Sequence, residues 1–174
     1  MTPIEFKNRY IESLPAVPDD LRDELGLERF VTLDTVTANR LNLPREVADF
    51  VTTAGLPESA SPWLSFDFNV DGRIAPVDTY PHMIAIGSNS SGDDVCLDAN
   101  DNYSLVYLNH DDLFRRIFIN SSVSLFAECL CLYLGRRHRN DPIDLHNAIG
   151  MIDPKAIEIG TFWYTESLAL ENGG

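Results

Sequence analysis

Basic residues are scarce in this sequence, and in its middle third they are almost absent. The 174 residues include 13 Lys and Arg against 27 Asp and Glu, which gives a formal net charge of −14 at pH 7. Between positions 51 and 114 the only cation is Arg73, among ten acidic residues. This charge distribution repels nucleic acid and anionic membranes and attracts basic partners. An acidic surface also keeps a protein soluble, so charge alone supports a basic partner and simple solubility about equally.

Cysteines and long apolar runs are also few. The cysteines are Cys96, Cys129 and Cys131. An odd, small number does not fit the disulfide framework of a secreted protein, so we expect all three to be buried as small hydrophobic residues. The longest apolar-rich stretch, 123–134, is interrupted by Ser124 and Glu128 and predicts a buried helix rather than a membrane span. No signal-peptide pattern opens the sequence, and we therefore expect a cytoplasmic protein.

The spacing motifs of common catalytic sites are missing as well. The sequence has no G-x-S-x-G nucleophile motif and no H-E-x-x-H zinc motif, and its four histidines are scattered. Gly87 and Gly92 lack a nearby lysine that could reach a phosphate. We therefore expect a protein that is not an enzyme and that needs no cofactor.

Helix signals stand at both ends of the sequence. A capping box and a first-turn proline predict a helix over 2–13, and apolar spacing predicts a second helix over 43–54. The segment 121–134 is apolar nearly all round, which is typical of a central buried helix. We interpret Asn120-Ser121-Ser122 as the cap of that helix. Asp153-Pro154 predicts the start of a last helix that runs toward Leu168.

Four short segments between the helices have the alternation and turn boundaries of β-strands. They are 63–68, 83–87, 95–98 and 103–108. Short loops connect neighbouring segments, so the sheet should be antiparallel. We predict an α+β fold, in which an antiparallel β-sheet meander is flanked by N-terminal and C-terminal helices. The chain, residues 1–174, is expected to form one domain with residues 1–40 as an N-terminal extension.

Several local motifs, taken in order, resemble those of the SUKH superfamily. They match its entry helix, its glycine-loop-strand element, the opening of its main helix and its final segment. The motifs are Leu43-Pro44 with Phe50-Val51 and Gly55-Leu56-Pro57, Ile86-Gly87 through Cys96-Leu97-Asp98, Phe118-Ile119-Asn120-Ser121-Ser122 with Phe126, and Ile152-Asp153-Pro154 with Trp163. The third motif resembles above all the bacterial immunity subgroup. The likeness begins near residue 40, and the first forty residues carry none of these motifs.

The resemblance implies an immunity protein, which binds a cognate polymorphic toxin and blocks it in the producing cell. The toxins concerned are often nucleases or nucleic-acid deaminases. The implied partner is then a protein, with no direct binding of nucleic acid or membrane. A toxin that acts on nucleic acid tends to be basic because it must neutralise phosphates. An acidic inhibitor gains association rate and partner choice from the complementary charge.

Acidic residues between positions 67 and 112, with one tyrosine, are the candidate partner-binding residues. The set is Asp67, Asp71, Asp93, Asp94, Asp98, Asp101, Tyr103, Asp111 and Asp112. A solvated turn, whose Asx side chains only shape the backbone, explains the segment 93–102 about as well.

A partial calcium motif overlaps these residues. Asp98, Asn100 and Asn102 match positions one, three and five of a calcium-binding loop, but Tyr103 replaces the required glycine and Asn109 the required glutamate. We therefore predict no metal site. The alternatives to an immunity protein are a non-catalytic scaffold or regulatory domain that binds proteins, and a metal-dependent hydrolase that uses the aspartate cluster.

Overall fold

The computed structural model describes residues 1–68, 76–139 and 141–171, and seven α-helices lie within these ranges. The helices are α1 (Pro3–Ser13), α2 (Asp19–Glu24), α3 (Thr35–Arg40), α4 (Arg45–Thr53), α5 (Val123–Arg139), α6 (Leu145–Ile152) and α7 (Phe162–Glu171). Two 3₁₀ turns cover His110–Asp112 and Pro154–Ile157. Over the same ranges, no helix combines the length and the apolar character needed to cross a membrane.

The strands form one large antiparallel sheet and one small strand pair. They are β1 (Phe30–Val31), β2 (Leu56–Pro57), β3 (Ser59–Ala60), β4 (Leu64–Phe66), β5 (Pro76–Val77), β6 (Tyr80–Asn89), β7 (Asp94–Asp98), β8 (Ser104–Asn109) and β9 (Arg115–Asn120). The large sheet has the order β3-β4-β6-β7-β8-β9, with β5 also paired to β6, while β1 pairs with β2. All of these pairings are antiparallel. The predicted α+β fold with an antiparallel meander is confirmed.

Helix starts follow the capping signals of the sequence. Thr2 Oγ1 accepts a hydrogen bond from the Glu5 N–H at 3.3 Å, and Glu5 Oε2 accepts one from the Thr2 N–H at 2.8 Å. This is the predicted capping box of α1. Helix α5 is capped by Ser122, whose Oγ accepts from the Leu125 N–H at 3.2 Å.

Helix α5 is the centre of the main hydrophobic core, as its apolar sequence predicts. Phe126 and Leu130 of this helix are fully buried. Phe6 of α1 and Trp163 of α7 are also fully buried and belong to the same core. Residues from both ends of the chain therefore pack around one helix, and α1 is an integral part of this core.

The two faces of the sheet bury different residues. Leu97 and Leu105 point into the main core, whereas their neighbours Cys96 and Val106 belong to a second, smaller apolar cluster. Strand alternation places successive side chains on opposite faces, which explains the two clusters. Cys96, Cys129 and Cys131 are all buried free thiols, as predicted.

The structure differs from the sequence prediction in the last third of the chain. Strand β9 was not predicted, because its two arginines mask the alternation of buried Ile117 and Ile119. Helix α6 was also not predicted, nor was the short helix α3 in the first third of the chain. Asp153-Pro154 starts only a 3₁₀ turn, and the last helix begins at Phe162, after Gly160 with a φ of 89°.

A buried hydrogen-bond network joins the end of β9 to this C-terminal segment. Asp153 is buried and accepts from Asn120 Nδ2 at 3.0 Å, the Ser121 N–H at 2.7 Å and Ser121 Oγ at 2.9 Å. Asn120 Oδ1 in turn accepts from Trp163 Nε1 at 2.7 Å. Asn120 and Ser121 therefore bind Asp153 rather than capping α5, and only Ser122 of the predicted cap performs that role.

We predict that Asp153→Ala lowers the free energy of unfolding by about 3 kcal/mol or more, because it leaves buried donors without an acceptor. Urea unfolding followed by circular dichroism measures this change. Asp144→Ala is the matched control, because Asp144 is an exposed N-cap of α6 and its loss should cost only about 1 kcal/mol. Equal losses for the two variants would contradict a special role for the buried network.

Candidate partner-binding surface

Three connections come together at one end of the large sheet, which we call the loop end (residues 61–63, 89–94 and 109–115). Antiparallel register places them there, since Leu64 pairs with Asn89, Ser88 with Asp94, and Asn109 with Arg115. A hydrogen bond from the Ser90 N–H to the Trp63 carbonyl, 2.9 Å long, links two of these connections. The loop end contains four of the candidate partner-binding aspartates.

Asp93, a buried residue of the 89–94 connection, links this connection to the 109–115 connection. Its side chain is only 5% exposed. Oδ1 accepts from the His110 N–H at 2.9 Å and lies 2.5 Å from His110 Nδ1, while Oδ2 accepts from Asn89 Nδ2 at 2.8 Å. Burial alone would raise the pKa of Asp93, but these hydrogen bonds outweigh it and hold the pKa below its ordinary value of 3.8.

Asp98 and Asp101 lie at the opposite end of β7 and are neutralised by Arg116. Arg116 Nε lies 2.8 Å from Asp98 Oδ2, and its terminal nitrogen lies 2.5 Å from Asp101 Oδ2. Burial tends to raise the pKa of Asp101, yet its bonds with Ser104 and Arg116 lower the pKa overall. Asp98 Oδ1 also accepts from the Asn100 N–H at 3.0 Å, as in an Asx turn.

The prediction that Asp93 and Asp98 face a partner does not agree with their burial. Each is a buried polar residue whose oxygens are already occupied by internal donors. Tyr103 is also engaged within the protein. It packs against the main core, and its hydroxyl donates to the Asn42 carbonyl at 3.2 Å. These three residues stabilise the fold, and Asp71 lies outside the described residues.

The remaining predicted residues reach the surface. Asp94 is exposed, and the Asp111 side chain is 83% exposed and lies 3.3 Å from His110 Nε2. Asp112 is about half exposed and is paired with Arg115. Asp67 is partly buried and lies at the rim of a groove on the open face of the sheet.

That groove has a volume of about 520 Å³ and a floor of small residues. It is lined by Ser65, Asp67, Ala85, Gly87, Ser88, Gly92 and Asp94. A Cβ at Gly87 would lie 2.1 Å from the Ser65 carbonyl oxygen, so the close approach of β4 and β6 requires glycine there. The groove leaves room for a long side chain, and the carboxylates of Asp67 and Asp94 favour a cationic one.

Three exposed apolar residues at the loop end were not among the residues predicted from the sequence. Leu113 and Phe114 are exposed between β8 and β9, and Trp63 is exposed beside the 89–94 loop. All three have a positive φ. The sequence offers one signal for the exposed Leu113 and Phe114. This Leu-Phe pair stands between two acidic residues, 111–112, and two arginines, 115–116.

Metal-ligating clusters are not found in the described part of the chain. No group of three or more His, Cys, Asp or Glu side chains there is arranged to hold a metal ion. The acids of the partial calcium motif are instead engaged by Arg116 and by the turn backbone.

The described helices and the antiparallel sheet make this an α+β protein. A family model described as SUKH-4 immunity protein matches residues 17–165, which is most of the chain. The chain therefore belongs to the SUKH-4 immunity protein family. The match includes part of the first forty residues, in which no family motif had been recognised. Comparison with curated proteins and with solved structures gave no match.

We predict that Asp93→Asn destabilises the protein in a pH-dependent way. Because the folded-state pKa of Asp93 is lowered, its carboxylate contributes stability that is fully present above pH 3.8 and is lost as the pH falls through the folded-state value. The difference in unfolding free energy between wild type and variant should therefore be largest near neutral pH and shrink in acid. Urea unfolding from neutral pH to about pH 3 tests this.

The exposed neighbour Asp94 provides the control for that experiment. Asp94→Asn should change the unfolding free energy little across the same range, because the side chain is exposed. A destabilisation by Asp93→Asn that stays constant with pH would contradict the role given to its carboxylate.

Proposed function

We propose that this protein neutralises a cognate toxin by binding it in equimolar amounts through the acidic loop end and the groove that adjoins it at Asp94. The toxin is cationic and acts on nucleic acid, and the inhibitor is a cytoplasmic binding protein without a catalytic role. The observation that carries the proposal is the groove rimmed by Asp67 and Asp94, together with exposed Asp111 at the loop end, in a member of an immunity protein family.

Charge supports the choice of partner. The chain has a net charge of −14, and ten acidic residues against one cation occupy positions 51–114, the part that builds most of the large sheet. A protein that acts on nucleic acid presents lysines and arginines to phosphates. An inhibitor with acidic side chains on its binding surface can meet those cations directly and is steered toward them before contact.

The chemistry of the described side chains favours binding over catalysis. Burial raises the pKa of Cys96 and Cys129 to about 12 and that of Cys131 to about 11, so their thiols stay protonated and are poor nucleophiles. His110 is engaged by Asp93 and Asp111, and its contacts connect two loops of the sheet. The alternative of a metal-dependent hydrolase loses support because Arg116 pairs with Asp98 and Asp101, two of the acids that it would use.

Co-purification of the tagged protein from its own cells provides the first test. A basic toxin domain recovered in equimolar amount is the expected result, and it yields the partner for the kinetic experiment below. Recovery of an assortment of unrelated proteins would instead favour a scaffold or regulatory domain and would contradict the proposal.

We predict that the triple substitution Asp67→Asn, Asp94→Asn and Asp111→Asn slows association with that toxin domain about three- to tenfold at low salt. The difference should fade above about 0.5 M salt, because screening removes the long-range attraction. Stopped-flow or surface-based kinetics measures the association rate, and thermal unfolding checks that the variant is folded.

The matched control removes three charges elsewhere on the chain. Asp20→Asn, Glu24→Gln and Glu46→Gln change exposed side chains of α2 and α4 and give the same net charge. We expect the control to slow association clearly less. Equal slowing by both triple variants would show that overall charge, and not this surface, steers binding.

A further inference from the structure

The connection between β8 and β9 displays two apolar side chains in an unusual backbone conformation. Leu113 and Phe114 have φ values of 52° and 57°, which place both in the left-handed region. Their side chains are 91% and 51% exposed. They lie at the loop end, directly after Asp111 and Asp112 and before Arg115.

The turn geometry alone does not explain these two residues. The left-handed backbone region favours Gly, Asn and Asp, because a larger side chain on Cβ is strained there. The other such pair in the described chain, Asn102 and Tyr103, differs, because Tyr103 packs against the main core and its hydroxyl bonds to Asn42. Leu113, almost wholly exposed, gains no comparable burial within the protein.

The turn is held in place by its neighbours. Asn109 Oδ1 accepts from the Asp111 N–H at 3.0 Å, and the His110 N–H is bound by buried Asp93. Asp112 pairs with Arg115 across the two apolar residues. A group that is fixed before binding loses less conformational entropy on association, which suits a recognition element.

We propose that Leu113 and Phe114 insert into an apolar pocket on the toxin, and that lysine or arginine side chains at the rim of this pocket pair with Asp111 and Asp112. The proposal rests on the proposed function and names the contact that anchors the complex. Exposed apolar residues surrounded by charge are typical of interaction sites, and a few buried anchors supply most of the affinity in such interfaces.

We call Leu113 and Phe114 the tip of this connection. The charge of the protein favours a cationic protein over the other surfaces that could cover the tip. A second copy of this chain, with a net charge of −14, would bring carboxylates against carboxylates in a symmetric contact. An anionic membrane would be repelled by the same acids. A basic protein surface gains both the apolar burial and the opposite charge.

The decisive variant replaces the tip by residues that suit its backbone, Leu113→Asn with Phe114→Gly. Because Asn and Gly tolerate the left-handed backbone of these two positions better than Leu and Phe, we expect the thermal midpoint to stay the same or rise by about 2–4 °C. Affinity for the toxin domain captured by the wild-type protein should fall at least about tenfold, mainly through faster dissociation. Calorimetry and dissociation kinetics with the purified toxin domain measure this.

A matched control removes two exposed apolar side chains from another place. Met151→Gln with Ile159→Asn changes residues that are 88% and 86% exposed, around the Asp153 network at the far end of β9. The control should bind within about twofold of wild type, as expected outside the set of anchor residues. This result, together with weak binding by the stable tip variant, is the outcome that supports the proposal.

The other outcomes are distinguishable. If the wild-type protein binds the toxin and the tip variant binds equally well, the tip is not the anchor, while the immunity function stands. If both double variants weaken binding alike, the effect is not specific to the tip, and the proposal is again overturned. If the wild-type protein captures no toxin, the proposed function fails, and the assignment of the tip fails with it.

Discussion

The buried carboxylate of Asp153 fixes the end of strand β9, and the placement of the C-terminal helices depends on it. It accepts hydrogen bonds from Asn120 and Ser121, where the sheet ends and α5 begins, and Asn120 also receives the Trp163 indole N–H from α7. A buried acid is tolerated only when donors satisfy it, so this network holds strand, central helix and last helix in one arrangement. That arrangement positions strand β9, whose other end, at Arg115, belongs to the loop end of the sheet.

The acidic residues of this chain serve two different purposes, and their surroundings separate them. Asp93 and Asp98 are buried and bound by His110 and Arg116, so their charge is used inside the protein. Asp94 and Asp111 are exposed and can meet a partner. Buried Asp93 holds the connections of the loop end together, and the exposed acids give the loop end its charge. In the proposed complex, Leu113 and Phe114 then add the apolar contact that charge alone does not supply.

Sequence reasoning reached those parts of the fold whose signals are local. The capping box at Thr2, the apolar face of α5 and the alternation of β7 and β8 lie within short segments, so they could be read directly. The contacts of Asp93 with His110 and of Asp98 with Arg116 span 17 and 18 residues. No local pattern shows them, and for that reason both acids were assigned to the surface. The left-handed conformation of Leu113 and Phe114 likewise follows from strand pairing, which the sequence does not reveal.

Hydrogen–deuterium exchange of the protein, free and bound to its toxin domain, tests the central claim most directly. If the toxin is held at the loop end, exchange should slow at the backbone amides of residues 90–94 and 110–116 and stay unchanged in α1 and α4. Slower exchange confined to α1–α4, with the loop end unaffected, would contradict the account and would place the toxin on the helical side of the protein.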